Sequence, residues 1–297
     1  MSITFLKRKP LLLLYLVGII LLAVAAWLSW SNLSAKPDRV FWSMIDQSLS
    51  TSAVTVRATQ GAGANGAEQL TQFSFGGETI SHSITNSSQP GTSVQAEMIS
   101  TSKAGYVKYQ VKTNQKNQAG KPLDFSKING VWAKNDSGQQ QLSQDLLGTD
   151  MPLGGVAVPI ANLTPDVRQK MIAQIKQQGV YTTSFNSAKK ETQNGRSVYI
   201  YNVSVKPVAY ASMMKLLAKD IGLHDLDSLD VSNFEGKDSF ELLLTVDIHA
   251  KQLLKAEATN ADIHQMYSAY DIPVSIALPK QTISSTELQK RIQAAQQ

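Results

Sequence analysis

The sequence contains no cysteine. That excludes a disulfide framework, a thiolate zinc site, an iron–sulfur cluster and a cysteine nucleophile. It also excludes the lipid anchor of bacterial lipoproteins, which is attached to a cysteine. Histidine is scarce, with four in 297 residues. No HExxH occurs and no two histidines stand at i, i+4, so the zinc-protease helix is absent. There is no GxxxxGK[ST] loop and no GxSxG elbow. Charged residues make up only 17% of the chain, but 42% is hydrophobic, so the composition is not that of a wholly disordered chain. The length suits one large domain or two small ones.

The 28 basic and 23 acidic side chains leave a net charge of +5. Lys7, Arg8 and Lys9 stand in a first stretch of 30 residues without an acid. They supply three of the five charges, and the remainder is nearly neutral. No basic run is interleaved with aromatics, so a nucleic-acid partner is not expected. The basic cluster precedes Leu11 to Trp30, which carries no charge. Such a run covers roughly the 30 Å hydrocarbon core of a bilayer. Trp27 and Trp30 sit where indoles favour the interface, and the basic flank marks the cytoplasmic side. The expectation is one transmembrane helix over 11–30, N-terminus inside and the rest outside. A cleaved signal peptide ending near Ala23-Val24-Ala25 is the competing reading. Gly18 stands alone, so no GxxxG dimer face is expected.

After a spacer over 31–36, Pro37 and Asp38 suit a helix first turn. Val40, Phe41, Met44, Ile45 and Leu49 then form one apolar stripe at helical period. From Thr51 the period changes to two. Strands are expected at Val54–Thr59, Gln69–Phe75, Thr79–Thr85, Thr92–Thr101, Tyr106–Thr113 and Ile128–Lys134, as an antiparallel meander. Leu142–Leu147 reads as a helical turn. Thr164-Pro165 opens a helix, with threonine as the capping residue, that stops at Gly179. Val180–Lys190 and Arg196–Lys206 are joined through Asn194-Gly195, a tight-turn pair. Pro207–Ile221 is a helix. Ser239–Ala250, Leu253–Ile263 and Tyr267–Leu278 close the domain, leaving 281–297 as a polar tail, a short helix at most. The fold class is α+β: a curved antiparallel sheet with helices against one face, in a single domain over 37–280.

Few chemical motifs survive scrutiny. Gly61-x-Gly63-x-x-Gly66 has dinucleotide-fingerprint spacing, but a strand follows where a helix is needed, so it reads as a hairpin tip. Asp247 and His249 share one strand face, and Asp262 and His264 another. Only their convergence would make a metal site, and none is expected. Asp225, Asp227 and Asp230 lack EF-hand spacing and read as the wet side of a short helix, with Leu223, Leu226 and Leu229 interleaved at i, i+3. The sequons at Asn32, Asn86, Asn135, Asn162 and Asn202 are what a serine- and threonine-rich chain contains by chance. A cysteine-free extracellular domain fits a bacterial envelope better than a eukaryotic secretory route. No catalytic constellation and no cofactor is expected.

Apolar material instead collects in one-face stripes: Phe73 and Phe75, Ile80 and Ile84, Val107 and Tyr109, Tyr199 and Tyr201, Leu242, Leu244 and Val246. The helix at Pro207 adds Met213, Met214 and Leu217, adaptable side chains. Two readings stand. These faces close a solid core, in a structural or partner-binding module. Or they line an apolar cavity for a lipid or other hydrophobic ligand.

The order of elements over roughly 37–280 resembles the LolA/LppX-like superfamily of bacterial envelope proteins. The nearest local echoes are Asn194–Val203 (NGRSVYIYNV) and Tyr270–Pro279 (YDIPVSIALP), the latter similar to the last strand of LppX-like domains. The resemblance implies an incomplete barrel around a helical plug, a cavity for acyl chains and no catalytic residues. The chain departs from it by lacking an anchoring cysteine. A protein tethered by its own helix cannot shuttle, but can hold or hand over a lipid at the membrane, alone or with an envelope partner.

Overall fold

The computed structural model describes residues 35–61, 66–135, 140, 156–259 and 262–296. The expected transmembrane helix over 11–30, the Gly63 position and the helical turn at 142–147 lie outside these. Among the described residues no helix is long and apolar enough to cross a membrane.

The described residues include four α-helices: α1 (Pro37–Ser48), α2 (Pro165–Gln178), α3 (Pro207–Asp220) and α4 (Ser285–Gln296). Pro stands at the start of each of the first three, where its missing N–H costs nothing. Thr164 precedes Pro165 with extended backbone, but its side chain caps nothing. α2 stops, as expected, at Gly179 in the left-handed conformation (φ 61°), which glycine adopts without a Cβ clash.

The meander comprises β1 (Ala53–Gln60), β2 (Ala67–Ser74), β3 (Ile80–Gln89), β4 (Thr92–Thr101), β5 (Gly105–Thr113) and β6 (Trp132–Asn135). The second set comprises β7 (Tyr181–Thr182), β8 (Lys189–Gln193), β9 (Arg196–Val205), β10 (Phe240–Asp247), β11 (Leu253–Ala258) and β12 (Ile263–Ser268). β13 (Ile283–Ser284) follows near the end. All belong to one curved, unclosed sheet in the order β13-β6-β5-β4-β3-β2-β1-β12-β11-β10-β9-β7, with β8 also on β9. Pairing is antiparallel except for β13 on β6.

β1 and β2 form the hairpin expected around Gly61, with Gln60 opposite Ala67. β8 and β9 turn through Asn194 (φ 50°) and Gly195 (φ 76°), both positive as a type I′ turn requires. The sequence expectation differs from the structure most at the closing strands. Tyr267–Leu278 is not a strand: β12 ends at Ser268, and Ala269 and Asp271 turn the chain with positive φ. Pro273 and Pro279 then keep the segment out of any ladder. It runs without regular structure to β13, seven strand positions away, or roughly 34 Å across the sheet at ~4.8 Å per strand. Residues beyond 281, expected as a tail, supply β13 and α4. Leu288 of α4 is buried with Ile128 and Ala133.

The sheet has one helix-bearing face. Across β2, β1, β12, β11, β10 and β9 it carries Phe73, Val54, Val56, Tyr267, Ala256, Leu244, Tyr201 and Val203, all buried with the apolar faces of α1, α2 and α3. Phe41 of α1 meets Trp42, Tyr181, Phe185 and Tyr201 edge-on at 5.2–6.2 Å between centroids. Asp46 of α1 accepts from Arg168 Nε of α2 at 2.6 Å.

Candidate functional site

The residues singled out as cavity lining divide into three groups. Phe73, Phe75, Tyr199, Tyr201, Met213, Met214, Leu217, Leu242, Leu244 and Val246 meet in one core cluster, none more than 9% exposed. Their contacts are with the helices and with one another: Phe73 stacks on Phe75 at 6.1 Å, and Tyr199 lies 5.9 Å from Tyr201. Val107 and Tyr109 share the helix-bearing face but pack, half-buried, with α4 in a separate small cluster. Ile80 and Ile84 lie on the opposite face. β3 pairs with β2 so that Ser81 faces Phe73 and Ser83 faces Thr71. The hydroxyls of Thr71 and Ser83, 3.0 Å apart, occupy the inner side instead.

The interior has a second unusual feature. Residues 156–161 (VAVPIA) are buried but have almost no regular structure. A buried loop must satisfy its own backbone groups, and here tyrosines and α1 do so. Tyr210 Oη donates to the Val156 carbonyl at 2.8 Å, and Tyr267 Oη accepts from the Ala157 amide at 2.9 Å. Tyr181 Oη reaches the Ala157 carbonyl at 3.4 Å, and the Ala161 amide donates to the Ser48 carbonyl at 3.1 Å. Burial pushes the Tyr181, Tyr210 and Tyr267 hydroxyls well above the ordinary tyrosine pKa.

An open groove of about 550 Å3 lies on the outer face, toward the sheet end where β9 and β11 begin and β10 and β12 finish. Thr245, Lys255 and Met266 face one another across β10, β11 and β12 and, with Leu254, form the floor. Ser268 to Ile272 bound one side, where Tyr270 is fixed by its hydroxyl on the Leu253 carbonyl at 2.8 Å. The β8–β9 turn, with Asn194 and Arg196, bounds the other. Met266 and Ile272 are 57% and 58% exposed. Arg196 stands 3.6 Å from Asp247, which is itself held inward by the amides of His249 and Ala250. The groove thus offers Leu254, Met266 and Ile272 as apolar surface, Lys255 on its floor, Arg196 at one side, and amide and hydroxyl groups. The non-glycine residues with positive φ among the described residues are Asn194, Lys251, Ala269 and Asp271. Each lines the groove or is next in sequence to a residue that does. Left-handed backbone costs a residue with a Cβ about 1–2 kcal/mol, and such positions gather where a surface is being shaped.

The histidines do not build a metal centre. Asp247 and His249 sit at the β10–β11 turn, whereas Asp262 and His264 lie at the opposite end of β12. His264 bonds Glu257 at 3.0 Å and Asp262 at 3.1 Å. Among the described residues no cluster of three metal-ligating side chains exists. Leu223 is buried and Leu226 packs on the core beside the turn at Asp225–Ser228.

Of the groove, sequence reasoning had named Tyr267 and the Asn194-Gly195 turn. Met266 falls in the turn expected between Leu253–Ile263 and Tyr267–Leu278, and nothing in the sequence marks Leu254 and Ile272, within those strands, as exposed. The prolines after Tyr270 were the available signal that the second of these is not a strand.

The chain matches no protein-family model and no curated protein. Among solved structures it is similar to "Crystal structure of LprF from Mycobacterium bovis", at 15% identity and a TM-score of 0.38, covering 80% of this chain and 96% of that one.

Proposed function

We propose that this is a membrane-tethered, extracytoplasmic, non-catalytic protein that holds a lipid or other amphiphilic ligand. The single observation that carries the reading is the groove of about 550 Å3, with Leu254, Met266 and Ile272 as apolar surface, Lys255 on its floor and Arg196 at its side. Its volume falls in the range of small-molecule sites, in which mostly apolar walls carry a few placed polar groups. The tether is the charge-free run 11–30. The ligand position differs from the sequence expectation: ten of the fourteen residues expected to line a cavity are packed against helices and against each other. The exposed side chains of Ile272 and Leu278 support a second reading, a partner-binding module with a solid core.

The test is native mass spectrometry and lipid extraction of the full chain in detergent, followed by titration with a fluorescent fatty acid. A co-purifying lipid, or saturable uptake abolished by Met266→Glu, is the expected result. Neither lipid nor uptake overturns the reading.

A further inference from the structure

We propose that the sheet end bearing the groove docks on an anionic phospholipid surface, that of the membrane holding residues 11–30; this rests on the tethered reading above. Four observations converge on that end.

The chain enters the domain there. Tyr199 Oη donates to the Ala35 carbonyl at 3.0 Å and Tyr201 Oη to the Pro37 carbonyl at 2.8 Å. Tyr199 pairs with Val246, one residue from Asp247, and lies three residues after Arg196. Second, the tether is short. Trp30 and Ala35 are five residues apart, which spans at most about 18 Å. The groove end therefore sits close to the bilayer surface, and the far end, with Gln89 and Thr92 at the β3–β4 turn, points away.

Third, Asp247, the acid nearest Arg196, is buried, while Asp271 is exposed but held by Ser52. Asp247 Oδ1 accepts from two amides, and Asp271 Oδ1 accepts from the Ser52 amide at 2.8 Å and its hydroxyl at 3.0 Å. Arg196, 3.6 Å from Asp247, keeps its side chain 56% exposed. Lys255, bonded to Glu257 at 2.8 Å, adds a second cation. Fourth, Met266 and Ile272 stand exposed between these cations. Apolar side chains flanked by lysine and arginine are what an anionic interface binds: the side chains enter the headgroup layer and the cations meet phosphate.

The absence of native cysteine makes the test direct. Full chain carrying Ile272→Cys or, as a control at the far end, Ser88→Cys is labelled with a polarity-sensitive dye. It is inserted into phosphatidylglycerol–phosphatidylcholine vesicles or vesicles of phosphatidylcholine alone. The expected result is a dye at 272 blue-shifted and shielded from an aqueous quencher on the anionic vesicles only, with the dye at 88 accessible on both. Arg196→Gln and Lys255→Gln each lower the docked-to-free ratio about fivefold, the worth of one basic residue near an anionic surface. Equal quenching at 272 and 88 on anionic vesicles overturns docking. Flotation reads the tether separately: chain that fails to float with vesicles overturns the tether and docking with it. Lipid retained in detergent alongside a solvent-exposed 272 leaves ligand binding standing and docking refuted.

Discussion

The two halves of the sheet use the same two-residue alternation to different ends. In the half built from β1 and β9–β12, the inner face is covered by α1, α2 and α3, and residues such as Leu242, Leu244 and Val203 are wholly buried. In the wing built from β2–β6, the inner positions beyond Phe73 become Thr71, Ser81, Ser83 and Ser100, then half-buried Met98, Ala96 and Tyr109. α4 covers only its far edge. Alternation therefore reports that a strand has two unlike faces. What lies on the inner face is decided by elements distant in sequence.

That contrast orders the expected effects of mutation. Phe41→Ala removes the ring that four aromatic neighbours surround. It should cost about 3–5 kcal/mol in chemical denaturation. Ile84→Ala, on the outer face of the wing, should cost only about 1 kcal/mol, as expected for half-burial. Equal losses would break the distinction between the halves.

Next in size is Tyr267→Phe, which leaves the buried Ala157 amide without its acceptor. An unsatisfied buried donor costs about 1–3 kcal/mol, and the loss should appear as faster hydrogen exchange in 156–161 before it appears in β3–β5. The same tyrosines give the helix-backed half an alkaline limit. Their folded pKa values are raised by burial above that of the free side chain. Their contribution is complete below pH ~10 and falls as pH rises further. Ultraviolet titration should show tyrosinate from these groups only on unfolding.

The smallest effect belongs to the wing. Partial burial of Glu97 raises its pKa, but hydrogen bonds from Lys108 and His82 outweigh this and hold the carboxyl below its usual value. That contribution is present above pH ~4.3 and is lost as pH falls through the lowered pKa. Glu97→Gln should remove this acid sensitivity and cost about 0.5 kcal/mol at neutral pH, in line with a partly exposed ion pair. No change in the acid limb would show the ion pair to be without weight.

Much of this contrast was legible in the sequence, and its limits have physical causes. Pro37, Pro165 and Pro207, Gly179 and Asn194-Gly195 located three helices and a hairpin because each signal acts on its own backbone. The core stripe of α1 and those of β9 and β10 were legible through period alone. Ile80 and Ile84 were assigned to the cavity because ISHSIT alternates equally well either way. Only pairing with Phe73 sends the serines inward. Tyr267–Leu278 read as one strand from composition, whereas left-handed turns at Ala269 and Asp271 split it. The groove was not legible, because its walls come from residues near 195, 250 and 270 that meet only when β9–β12 are assembled.

The claim that the ligand lies in the groove, and not against the inner face of the wing, is tested most directly by lipid extraction from two variants of the full chain. Met266→Glu places a charge on the groove floor, and Met98→Glu places one on the half-buried inner face of the wing. Loss of lipid from Met266→Glu with retention in Met98→Glu is predicted, both variants keeping the parental thermal midpoint. Lipid retained in Met266→Glu and lost from Met98→Glu would contradict the account.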